Sequence, residues 1–100
     1  MFENPKYVTR GIAHEIPAEL QLELWIMIEN LKMNGTIKLD YLQVFRLSNM
    51  AGQQKIRHSQ EEPEYCRECV VACSFPPVDN VKIFVIDNGS YSTMMLDDEY

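Results

Sequence analysis

Residues 17–35 read PAELQLELWIMIENLKMNG, and the placement of their apolar side chains decides the architecture. Leu20, Leu24, Met27, Ile28 and Leu31 recur at i, i+4, i+7, i+8 and i+11, one apolar stripe of a 3.6-residue helix. Pro17 suits the first helical position, where its missing N–H costs nothing. Glu19 in the first turn and Lys32 in the last complement the helix dipole. Asn34-Gly35 supplies a left-handed stop. A helix over Pro17 to Met33 would be roughly 26 Å long, enough to cross one face of a small sheet. Trp25 lies beside the stripe and is expected at the core or its edge.

On both sides of this segment the period is two. Upstream, Lys6 to Ala13 (KYVTRGIA) alternates and predicts a first strand, with Val8, Arg10 and Ile12 on one face. Downstream, Leu39 to Ser48 (LDYLQVFRLS) puts Tyr41, Gln43, Phe45 and Leu47 on one side and Leu42, Val44 and Arg46 on the other. Asn49 to Gly52 fits a hairpin loop, and Gln53 to Gln60 a polar return strand near an edge. Glu61 to Glu64 is a loop. Tyr65 to Phe75 (YCRECVVACSF) is open between strand and short helix, and Pro76-Pro77 ends it either way. Val81 to Asp87 (VKIFVID) is apolar on both faces, which places it inside the sheet. Asp87-Asn88-Gly89 is a strong turn signal, followed by a return strand from Tyr91 to Leu96. One amphipathic helix on an antiparallel sheet of four to six strands, a single α+β domain over residues 1–100, is the expected fold.

The balance of nine basic and fifteen acidic residues gives a net charge of −6, and the pI lies near 4.8. That disfavours direct binding to nucleic acid, which wants a basic stripe to release counterions. The longest apolar run, Leu24 to Ile28, falls far short of the ~20 residues that cross a bilayer. The first ten residues show no secretory pattern, and three cysteines, an odd number, suit a reducing compartment. A cytoplasmic protein without membrane contact is expected.

Cys66, Cys69 and Cys73 are spaced C-x2-C-x3-C, half of a zinc site. Only His58 and His14 remain as further ligands, and both histidines sit among polar neighbours, as solvated side chains do. Three reduced thiols packing as small hydrophobes and no bound metal or cofactor are the expectation. No G-x-S-x-G, H-E-x-x-H or glycine-rich phosphate loop is present. The twelve residues from Asp87 to Asp98 fail as a calcium loop at Gly89, Tyr91 and Ser92. No catalytic constellation survives, so a non-enzyme is expected.

What remains is acidity: Glu19, Glu23 and Glu29; Glu61, Glu62 and Glu64; Asp97, Asp98 and Glu99. A solvated surface accounts for these, and so would a mimic of nucleic-acid phosphates if the clusters shared a face. The run Met94, Met95, Asp97, Asp98, Glu99 and Tyr100 combines adaptable apolar contacts with charge and is the candidate partner-binding segment. Inward packing of both methionines is the alternative.

Tyr7-Val8-Thr9-Arg10-Gly11, Ile16 to Leu22 with Leu24-Trp25, Leu39 to Phe45, Val85-Ile86-Asp87, Tyr91 to Met94 and Asp98-Glu99-Tyr100 occur in that order. Together they resemble the uncharacterised bacterial domain-of-unknown-function family 960, small proteins of staphylococci and other Gram-positive bacteria. The cysteine segment departs from the shared pattern. The resemblance implies a setting near phage or mobile-element genes and assigns no catalytic residue. The resulting expectation is an accessory factor that binds a protein with a basic surface, with a homodimer left open. The alternatives are a metal- or ligand-binding module built on Cys66, Cys69, Cys73 and His58, and an acidic nucleic-acid mimic.

Overall fold

The computed structural model describes residues 1–72 and 74–100. In chain order the elements are β1 (Lys6–Val8), α1 (Arg10–Glu15), α2 (Ala18–Asn34), β2 (Leu42–Met50), β3 (Gln53–Gln60), β4 (Tyr65–Val71), β5 (Val81–Asp87) and β6 (Ser92–Leu96), closed by one 3-10 turn at Asp97–Glu99. The six strands form a single sheet in the order β1-β6-β5-β2-β3-β4.

The long helix follows its apolar stripe. Leu20, Leu24, Ile28 and Leu31 are buried, and the helix starts at Ala18 with Pro17 in the cap position. Gly35 ends it at φ +74°, a left-handed conformation that costs glycine nothing. The stripe packs on Phe45, Leu47, Ile56, Ile83, Val85, Met94 and Leu96 from the inner face of the sheet. Trp25, half-buried, packs against the edge of this core.

The first predicted strand is half wrong. Only Lys6–Val8 is strand, and the chain then turns into α1. Thr9 makes the turn: its hydroxyl accepts the Ile12 N–H at 3.3 Å, an N-cap that alternation conceals. Ile12, Ile16 and Leu20 are all buried, so the stripe of α2 begins eight residues earlier. The sheet is therefore mixed, because β1 runs parallel to β6, with Tyr7 opposite Thr93. A crossover through both helices joins β1 to the rest, so the hairpin logic behind an all-antiparallel expectation does not reach it.

All other pairings are antiparallel. The doubly apolar β5 lies inside the sheet between β6 and β2, and Tyr65–Val71 is an edge strand, not a helix. Strand β3 is not a solvated polar strand. Gln54, Ile56, His58 and Gln60 alternate inward and are all buried.

Candidate functional site

The inner face holds polar groups that composition alone would place in water. Gln43 is fully buried; its amide nitrogen donates to the Asp40 carbonyl and to Gln60 Oε1, each at 2.8 Å. Its Oε1 therefore accepts from His58 Nε2 at 2.6 Å, which puts the imidazole proton on that nitrogen. Gln60 donates to the carbonyls of Lys38 and Pro63 and accepts from the Asp40 N–H. The His58 ring stacks on Phe45 with centroids 4.5 Å apart and meets the edge of Tyr65. Burial, with a smaller push from Arg67, lowers the His58 pKa from 6.5 to about 4. His58 is thus a neutral core group, contrary to its expected place in solvent.

The two described cysteines, Cys66 and Cys69, do not gather around it. In β4, Cys66 is paired in register with Ser59 and Cys69 with Ile56, on opposite faces of the sheet. The exposed Cys66 sulfur accepts a hydrogen bond from Arg57 Nε at 3.2 Å. Cys69 is half-buried and desolvation raises its thiol pKa, which makes it a weaker nucleophile and ligand at neutral pH. It borders a cavity of about 200 Å³ with His58, Met27 and Tyr65, between α2 and the β3–β4 edge. Cys73 lies outside the described residues. Among the described residues no three His, Cys, Asp or Glu side chains converge as a metal site would require, and His14 is exposed on α1.

The predicted partner-binding run divides. Met94 is wholly buried in the core and takes no part in an exposed surface. Met95 is half-buried on the outer face, while Asp97, Asp98 and Tyr100 are exposed, Tyr100 standing edge-on to Phe84 at 5.5 Å. Glu99 is turned onto its own chain. Its carboxylate accepts from the Thr9 hydroxyl at 2.6 Å, the Leu96 N–H at 2.9 Å and the Gly11 N–H at 3.1 Å. These contacts, led by Thr9, hold its pKa below the ordinary value. A Cβ on Gly11 would lie 2.7 Å from that carboxylate, so the clamp requires glycine. The acidic clusters do not share a face. Glu61 to Glu64 follow Gln60, while Asp97 follows Leu96, at the opposite ends of the strands.

The outer face carries what sequence reasoning missed. Register aligns Met95, Phe84 and Val44 in one row across β6, β5 and β2, with Ile86 and Leu42 in the row beside it. All five are half-buried, and both helices pack on the other side of the sheet, with the core. One step along the strands, Lys82, Arg46 and Arg57 stand directly opposite one another. Adjacent strands are about 4.8 Å apart, so three cations fall within roughly 10 Å. None of the three has a carboxylate within ion-pair distance among the described residues; the nearby Glu68 pairs instead with Lys55 at 3.4 Å. Lys82 lies 5.2 Å over the Phe84 ring. Glu68 of β4 stands in register beyond Arg57 at the end of the row, and an open groove of about 670 Å³ along it is also bordered by Glu15, Asp79, Asp97 and Asp98. Period two already put Val44 and Arg46 on one side, but only the strand order brings Lys82 and Arg57 to them.

A family model described as "Staphylococcal protein of unknown function (DUF960)" matches residues 5–99. No curated protein matches the chain. A crystal structure of a protein of unknown function from Enterococcus faecalis superposes with a TM-score of 0.84 at 27% identity, covering 97% of this chain and 91% of that one.

Proposed function

The chain belongs to the staphylococcal family of unknown function DUF960, and for this member we propose a non-enzymatic role as a protein-binding accessory factor that docks through the outer face of its sheet. One observation carries the reading. An antiparallel sheet with one solvated face normally alternates apolar-in and polar-out, yet Leu42, Val44, Phe84, Ile86 and Met95 form a continuous apolar patch on the uncovered face. A patch of this kind rimmed by charge is characteristic of interaction sites. Asp97, Asp98 and Tyr100 border it, so a basic region of the partner would meet the two aspartates. The proposed setting is the bacterial cytoplasm, in the service of phage or another mobile element.

Capture from bacterial lysate with and without infecting phage, read by mass spectrometry, tests this. Wild type should retain a protein that the double variant Val44→Asp, Phe84→Asp loses, with unchanged circular dichroism. Deleting residues 97–100 would remove the Glu99 clamp as well, so Asp97→Asn with Asp98→Asn is the cleaner probe of the rim. Equal capture by wild type and the double variant defeats the reading. One zinc per purified chain would move it to a metal-binding module on Cys66, Cys69 and Cys73.

A further inference from the structure

On the inner face, the polar network leaves one acceptor over. The Asp40 N–H fixes Gln60 Oε1 as an acceptor, which fixes the Gln43 amide as its donor, and Gln43 Oε1 then fixes the imidazole proton of His58 on Nε2. Nδ1 of His58 therefore carries a lone pair, and no group among the described residues donates to it. His58 is only 1% exposed, yet among the described residues no fully buried side-chain nitrogen or oxygen lacks a partner. The unpartnered Nδ1 must then reach open space, and the space that His58 lines is the cavity of about 200 Å³ between α2 and β4.

The charges around this acceptor balance. Arg67 is in register with His58 across β4 and β3, so both project to the inner face. Arg67 and the half-buried Glu23 of α2 are the two charged residues lining the cavity, and neither belongs to an ion pair among the described residues. Ile26, Met27 and Leu31 of α2 supply an apolar wall, with Ile26 41% exposed at the mouth.

We infer that this cavity binds a free apolar α-amino acid as its zwitterion, at a site separate from the outer face. One cation, one anion and one neutral acceptor match a ligand of zero net charge that carries both signs. The carboxylate meets the Arg67 guanidinium, which suits it bidentately. The ammonium donates to Nδ1 of His58 and lies towards Glu23, and the side chain rests on Ile26, Met27 and Leu31. Directly opposed residues have Cβ atoms about 4.5–5.5 Å apart, so Arg67 and His58 address two adjoining groups of one small molecule. Burial keeps the His58 ring neutral at pH 7, with a pKa of about 4, and so keeps its lone pair free for the ammonium. A cavity of about 150 Å³ holds benzene, so this slightly larger one suits leucine or methionine. A phosphorylated ligand fits worse, because Glu23 opposes a second negative charge against a single cation.

The probe is L-leucine, added to the full chain and followed by calorimetry and ¹⁵N spectra. Glycine, L-leucinamide and N-acetyl-L-leucine serve as comparisons. Leucine should shift amides of α2 and β4 and move the His58 Nδ1 resonance as its lone pair gains a hydrogen bond. Leucinamide lacks the carboxylate, acetylleucine the ammonium and glycine the side chain, so each should bind about tenfold more weakly or worse. Arg67→Gln, on an exposed edge position, should lose about tenfold in affinity with unchanged urea unfolding. Val44→Asp with Phe84→Asp on the outer face should bind leucine as wild type does. No shift at about 10 mM leucine, the weakest affinity expected of a ligand this size, overturns the proposal. Equal binding of leucinamide or acetylleucine overturns it in favour of an uncharged ligand. Equal affinity of Arg67→Gln overturns it by placing the amino acid elsewhere, as does loss of leucine from the outer-face variant with circular dichroism unchanged.

Discussion

The two faces of the sheet each carry a polar row, and the rows differ in whether the chain supplies their partners. Inside, Gln43, His58 and Gln60 are buried, and hydrogen bonds among themselves and to three main-chain carbonyls satisfy both amides and the imidazole N–H. Outside, Lys82, Arg46 and Arg57 stand side by side and lead in register to Glu68, whose carboxylate lies closest to Lys55, so among the described residues none of the three forms a close ion pair. A buried polar group without a partner costs about 1–3 kcal/mol, so the inner row had to be completed for the chain to fold. An exposed cation keeps its water, so the outer row can do without close ion pairs at little cost. Completeness marks the inner polar groups as architecture, and the proposed docking uses the other face.

The largest effects should fall on the inner side. Leu24→Ala or Phe45→Ala removes a fully buried side chain and is expected to cost about 2–5 kcal/mol in urea unfolding. Val44→Ala, half-buried on the outer face, should cost less than about 1 kcal/mol. Similar losses at Phe45 and Val44 would mean that the outer face is also core, and the contrast between the faces would collapse.

Acid should act through the inner row. His58 in an unfolded chain titrates near 6.5, and in the fold near 4 because burial disfavours its charged form. The unfolded state therefore takes up the proton first, and the stability contributed by the neutral ring is complete above pH 6.5 and lost as pH falls towards 4. The slope is about 1.4 kcal/mol per pH unit, or about 3 kcal/mol across the window. Denaturation measured from pH 7 to 4 should show this slope in wild type and not in His58→Phe. Gln43→Leu is smaller in scale. It strips a partner from His58 and from Gln60 and should cost about 1–3 kcal/mol at pH 7.

The inner side was also the more legible in sequence. Leu20, Leu24, Ile28 and Leu31 announce α2 by spacing alone, and the alternation in β2 assigned Phe45 and Leu47 to one side correctly, because burial imposes its period directly on the chain. The helix at Arg10–Glu15 was hidden because Val8, Arg10 and Ile12 satisfy a period of two while Thr9 caps and Ile12, Ile16 and Leu20 satisfy 3.6. His58 and the three buried glutamines look solvated by residue type, since nothing local shows that each finds its partner 15 or more residues away or on a returning loop. Glu99 reads as one of a charged run, and only the approach of Thr9 and Gly11 across 88 to 90 residues reveals the clamp. The basic row is the extreme case. Its members sit at positions 46, 57 and 82 on three strands, and the order β5-β2-β3 alone makes them neighbours.

The smallest effect is the sharpest test of the comparison, because its sign is opposite to the others. Arg46 occupies the middle of the outer row, flanked across the strands by Lys82 and Arg57. Arg46→Glu converts three adjacent cations into an alternating plus, minus, plus arrangement, replacing two repulsive cross-strand pairs with two attractive ones. These groups are exposed or half-exposed, so the gain is screened and should reach at most about 1 kcal/mol, shrinking at high salt. The variant should therefore unfold at equal or higher urea concentration than wild type. If Arg46→Glu instead destabilises the fold by more than about 1 kcal/mol, Arg46 is part of the architecture after all, and the division between the two faces is wrong at its centre.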